Sequence, residues 1–114
     1  MKALHVTAAL AAIGLLGAGC FPKGAPVPGA LSPAGVTWAT GRWPGVTAAS
    51  LSAGRDHFVA KCNGCHSYPD LAAIPEARWP EIMERMGKKA GLGAEDKEAV
   101  LRYLLASRAE QAGK

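Results

Sequence analysis

A small all-α domain is what the sequence predicts. Apolar residues recur at helical spacings of three and four in three stretches, and no stretch alternates apolar with polar residues as a strand would. At 114 residues the chain has room for one domain, and its ends use part of that length. In the first stretch Ser50 or Ser52 serves as a cap, and Leu51, Gly54, Phe58 and Cys62 fall on one face. In the second, Pro80 suits a first turn and Gly87 an end, with Trp79, Ile82, Met83 and Met86 forming a buried stripe. In the third, Gly93 caps a helix whose first turns carry Glu95, Asp96 and Glu98. Arg108 falls near its end, as the helix dipole favours, and Val100, Leu101, Leu104 and Leu105 line its inner side.

Residues 1–19 read as an export signal. Lys2 and His5 give a short polar beginning, residues 6–18 are apolar, and Gly17, Ala18 and Gly19 are small. The apolar run is shorter than the roughly 20 residues a membrane-spanning helix needs. Cys20 follows directly, in a setting that resembles a bacterial lipoprotein box, with Gly17 where a branched aliphatic residue is typical. The resemblance implies a signal of lipoprotein type, lipidation of Cys20 and anchorage to a membrane facing the periplasm. The other reading is an ordinary signal, which would leave Cys20 as a spare thiol in an oxidising compartment. Residues 20–49 are rich in Pro, Gly and Ala, and Pro22, Pro26, Pro28, Pro33 and Pro44 argue against a continuous helix there. They are therefore expected to be a spacer between the lipid and a folded domain over residues 50–114. Trp38 and Trp43 are unusual in a spacer, and imply that its end folds back on the domain or covers a cofactor face; resting at the lipid headgroups is the alternative.

The charges exclude little. Lys2 is the one charged residue among residues 1–19, so of 13 Lys+Arg and 9 Asp+Glu, 12 and 9 lie beyond it, a balance of +3. They alternate in sign instead of forming a basic stripe, so no nucleic-acid partner is expected.

The chemistry sits in Cys62-Asn63-Gly64-Cys65-His66. Two thiols spaced C-x-x-C can add to the two vinyl groups of one haem, and the next residue's imidazole then faces the iron. A thioredoxin-like redox pair would want a βαβ context, which is absent. A zinc site would need two further ligands, and outside the run only His5, Cys20 and His57 remain. One covalent haem c, held by Cys62 and Cys65 and ligated by His66, is the reading, and with Cys20 lipidated it accounts for all 3 cysteines. Under 65 residues make a marginal core without a staple, so covalent haem is expected to supply one, and the apo form to be largely unfolded.

Over residues 54–105 the chain resembles the short bacterial monohaem relatives of cytochrome c. The matching residues are Gly54 and Phe58 before the haem run, then Pro69 or Pro75, Trp79, the Arg85-Met86 pair, and Tyr103-Leu104 near the end. The resemblance implies a class I-like helical fold wrapped around the haem, with the terminal helices crossing where Gly54 and Phe58 meet Tyr103. It also implies His/Met iron and a one-electron carrier. Met86 matches the methionine of the pair and lies beside Gly87, where the backbone has freedom to aim its sulfur. It is the expected sixth ligand, with Met83 as the fallback and core filling as the ordinary fate of both. Pro75 or Pro69 is expected to offer a carbonyl to the second nitrogen of His66. Trp79 packs on the haem, donates to a propionate, or simply fills core. His57 reads as a surface or packing histidine. Lys88 and Lys89 rim the haem edge, where they steer an acidic partner, or are simply solvated.

The expectation is thus a membrane-tethered, exported electron carrier that passes electrons between redox proteins and is not an enzyme. A peroxidase-like enzyme or a gas sensor with an open iron position is the alternative. No distal His, Arg or Glu set supports the enzyme, and 48 residues after His66 argue against a sensor bundle with a C-terminal haem run.

Overall fold

In the computed structural model the described residues are 25–62 and 67–113. They form four α-helices and one short 3-10 turn, with no strand among them. Helix α1 spans Pro33–Arg42, and Ser32 caps it by accepting the Gly35 N–H at 3.2 Å. This corrects the spacer reading of residues 20–49 over its described part, residues 25–49, which is bonded to the body from Ala25 onward. Pro33 occupies the first helical position, where its missing N–H costs nothing, and Pro44 falls beyond the end, so the prolines bracket the helix without interrupting it. Trp38 and Trp43 meet edge to face at 5.5 Å, Arg42 lies over both rings, and both pack partly buried on the core. Of the readings for these tryptophans, the fold-back onto the domain is the one observed.

Helix α2 spans Ala48–Lys61. Its cap is Thr47, one turn before the expected serines, because Thr47 and Ser50 form a reciprocal box with N–H to Oγ distances of 3.1 and 3.0 Å. After a turn at Glu76–Arg78, helix α3 spans Trp79–Lys89 with Pro80 in its first turn, as expected. Gly87 does not end it. The chain turns at Gly91 (φ 71°), where Leu92 N–H bonds Gly87 O at 2.9 Å and Gly91 N–H bonds Lys88 O at 3.2 Å, a Schellman motif. Helix α4 spans Ala94–Ala112 behind the expected Gly93 cap, with Glu95 and Asp96 in its first turn. It continues a turn past Arg108, whose Nε serves another purpose by donating to Ile74 O at 2.8 Å.

α4 is the central helix. α1, α2 and α3 each pack on it, α2 most extensively. α2 crosses at Gly54, where a Cβ would stand 2.2 Å from the Ala99 carbonyl oxygen. Beside that crossing lie Phe58 and Tyr103, ring centroids 6.4 Å apart, which is the contact the cytochrome resemblance implies. The main core gathers Phe58, Tyr68, Leu71, Trp79, Met83, Val100, Tyr103 and Leu104. A smaller one under α1 joins Ala39, Val46, Leu51 and Ala106.

Two glycine substitutions separate packing from propensity. Gly54→Ala should cost about 1–3 kcal/mol, because backbone must move to admit the methyl group. Gly41→Ala, in α1 with nothing within 4 Å, should gain about 0.4–1 kcal/mol. Denaturant unfolding of the purified protein measures both.

Candidate functional site

The C-terminus of α2 delivers the first residue of the site. Cys62 closes the helix, its N–H bonded to Phe58 O at 3.0 Å, and its side chain packs partly buried on the main core. Burial pushes the Cys62 thiol up, which favours its neutral form. Asn63, Gly64, Cys65 and His66 lie outside the described residues, and with them the expected second attachment point and first iron ligand. Cys20, the expected lipidation point, lies outside them too.

Beyond the run, the chain is tied back to the helix it left. The Tyr68 hydroxyl donates to Val59 O at 3.0 Å, and its ring lies 5.3 Å from that of Phe58. Cys62 and Tyr68, on either side of residues 63–66, are therefore both tied to the last turns of α2. Sequence reasoning missed Tyr68; its only local signal was an aromatic residue two places after His66.

The two methionines, indistinguishable by spacing, part company in burial. Met83 is 4 % exposed and is a member of the main core. Met86, one turn on, is only partly buried. Trp79 is 1 % exposed, yet its indole Nε1, like Arg102 Nε, has no hydrogen-bond partner among the described residues. A buried donor without an acceptor is unusual, and leaves this one open to an acceptor from outside the described residues. The residues thus fit a haem: a thiol at a helix end, a methionine the core does not consume, and an orphaned N–H suited to a propionate.

The remaining candidates fall as follows. The Pro75 carbonyl accepts the Arg78 N–H at 3.0 Å, which leaves one of its lone pairs, and Pro69 is half-buried. Lys88 and Lys89 are exposed in the last turn of α3, as is Arg85 nearby. His57 Nε2 stands 3.2 Å from Asp96 Oδ1 at the surface, joining α2 to α4. Among the described residues no cluster of three His, Cys, Asp or Glu is placed to hold a metal, and no helix is long and apolar enough to cross a membrane.

Compared with protein-family models, curated proteins and solved structures, the chain matches none.

The unpartnered indole makes a test. In the reduced, haem-loaded protein the Trp79 indole proton should resonate downfield and exchange slowly with solvent, as a hydrogen-bonded buried donor does. A resonance at the position of a free indole, or one unchanged in haem-free chain, would contradict the propionate assignment.

Proposed function

We propose that the chain is a membrane-tethered, exported c-type cytochrome that carries one electron at a time between redox proteins. The observation that carries this reading is the C-x-x-C-H run on a helix end, in an all-helical domain small enough to need a covalent staple. Haem c, when bound, supplies a one-electron couple at its iron. Cys62 and Cys65 would hold it through thioether links, and His66 and Met86 would supply the protein ligands of its iron.

The chain's own part is to keep those groups in place. α2 ends on Cys62, the first residue of the attachment run, and Tyr68 beyond the run is bonded back to Val59 of the same helix. α3, seated on α4, carries Met86 one turn beyond the buried Met83. Because Met83 already fills core, its sulfur is committed to packing, and Met86 can turn to the iron without opening a cavity. A sulfur ligand on the sixth position leaves the iron closed to small molecules, which suits a carrier and not an enzyme or a gas sensor. Trp79 Nε1 donates to a propionate, and a carbonyl of Pro75 or Pro69 orients His66. Lipid on Cys20 anchors the protein at the periplasmic side of a membrane, and redox proteins there are its partners.

The near-red sulfur-to-iron charge-transfer band of the oxidised protein tests the ligand set. The band should be present, be lost in Met86→Ala and persist in Met83→Ala. Its absence from the parent, or its loss only in Met83→Ala, refutes the assignment. The reduced parent should bind carbon monoxide slowly; rapid binding would favour an enzyme or a sensor.

A further inference from the structure

Residues 25–32, the described residues before α1, are bonded to the body at several points. Ala25 N–H donates to Tyr68 O at 3.1 Å. Arg55 Nε donates to Pro28 O at 3.0 Å, and the Tyr103 hydroxyl donates to Gly29 O at 2.7 Å. Ser32 N–H then donates to Glu110 Oε1 at 2.9 Å. Pro28, within this strap, is buried. Between the strap and the stretch Pro69, Asp70 and Leu71 lies a hollow of about 520 Å³, which Gln111 also borders. Val27 sits at that end of the molecule, 56 % exposed, the large hydrophobic residue that stands out to solvent among the described residues.

We propose that residues 25–32 form a strap that shortens the lipid tether and holds the Pro69–Leu71 end of the domain against the bilayer surface, with Val27 at the lipid and the α3–α4 end facing away. The proposal rests on the reading of Cys20 as the lipid-bearing residue. A free spacer of residues 21–49 in extended polyproline form would let the domain roam about 90 Å from its anchor. With Ala25 bonded to Tyr68, five residues separate the lipid from the body, and fully extended they reach only about 18 Å. A domain held that closely presents to the membrane the end where its strap begins.

The opposite end follows from α4. Gln111 borders the hollow, and Ala94 stands 17 residues up the same helix, about 26 Å away at 1.5 Å per residue. The turn between α3 and α4 is there, with Lys88 and Lys89, and Gly87 of α3 packs on Lys97 of α4. Met86 is in the same turns of α3. The strap therefore leaves the Met86 end open to partners arriving from the aqueous side, while the Val27 side chain adds apolar contact with lipid.

The test uses the full chain, haem-loaded and lipid-bearing, in phosphatidylethanolamine and phosphatidylglycerol vesicles. A small share of the phosphatidylethanolamine carries a photoreactive diazirine on its headgroup. After irradiation, peptide mass spectrometry compares adducts on residues 25–32 and 67–74 with those on residues 90–97. Severalfold more adducts on the first two are expected. Inserting about ten Gly and Ser residues between Gly24 and Ala25, which lengthens the tether without touching the fold, should even the distribution out. Equal labelling of both ends in the vesicle-bound parent overturns the proposal and leaves the lipid anchor standing. An unmodified Cys20 in the intact mass removes the anchor and the proposal together. Unchanged bias in the lengthened chain also overturns the proposal, because a short tether is then not its cause.

Discussion

α2 and α4 can cross as they do because position 54 carries no side chain. The Ala99 carbonyl occupies the space a Cβ would need, and any larger residue would part the helices. That approach stacks Phe58 beside Tyr103 and lets Leu51 reach Ala106 on the smaller core. It also sets where the last turn of α2 points, and hence where Cys62 leaves the helix. The strap depends on the same crossing, since the two side chains that grip it, Arg55 and Tyr103, stand on the two crossing helices. One missing methyl group thus underlies the core, the attachment run and the orientation of the N-terminal segment.

The division of labour between Met83 and Met86 follows from how α3 meets α4. Gly87 lets the Lys97 chain pass close to α3, and Lys97 Nζ reaches both Glu84 oxygens at 3.0 Å. This seats α3 with Trp79 and Met83 inward. Met86 is left at the margin of the buried stripe, where its thioether is free of core duty. Trp79 has the opposite difficulty: its ring is wholly inside while its N–H finds no acceptor among the described residues. An unsatisfied buried donor is costly, and the anionic edge of the proposed cofactor would satisfy it.

Much of this was legible in the residues. The faces of α2 and α4 follow from spacings of three and four, and Gly54 and Phe58 against Tyr103 follow from the resemblance to small cytochromes. Pro80 and Gly93 mark their helix starts because each has a local reason to be there. Three features were hidden for physical reasons. α1 escaped notice because proline density signals a broken chain, although Pro33 at a first position and Pro44 outside are both compatible with helix. Gly87 looked like a terminus, but close packing on Lys97 explains it, and the positive φ belongs to Gly91. The strap has no sequence signature at all, since Arg55 and Tyr103 bind backbone carbonyls that any residue would offer. As for the candidate site, the C-x-x-C-H run is local in sequence and so readable, whereas the different burial of Met83 and Met86 is not encoded by spacing alone.

The central claim is that a haem is covalently bound through Cys62 and Cys65. The most direct measurement is the intact mass of the protein, denatured after expression alongside a haem-attachment pathway. One haem per chain should remain through denaturation and acid-acetone extraction, and should be absent when both Cys62 and Cys65 are changed to Ala. A parent chain that releases its haem on extraction, or never acquires one, would contradict the account.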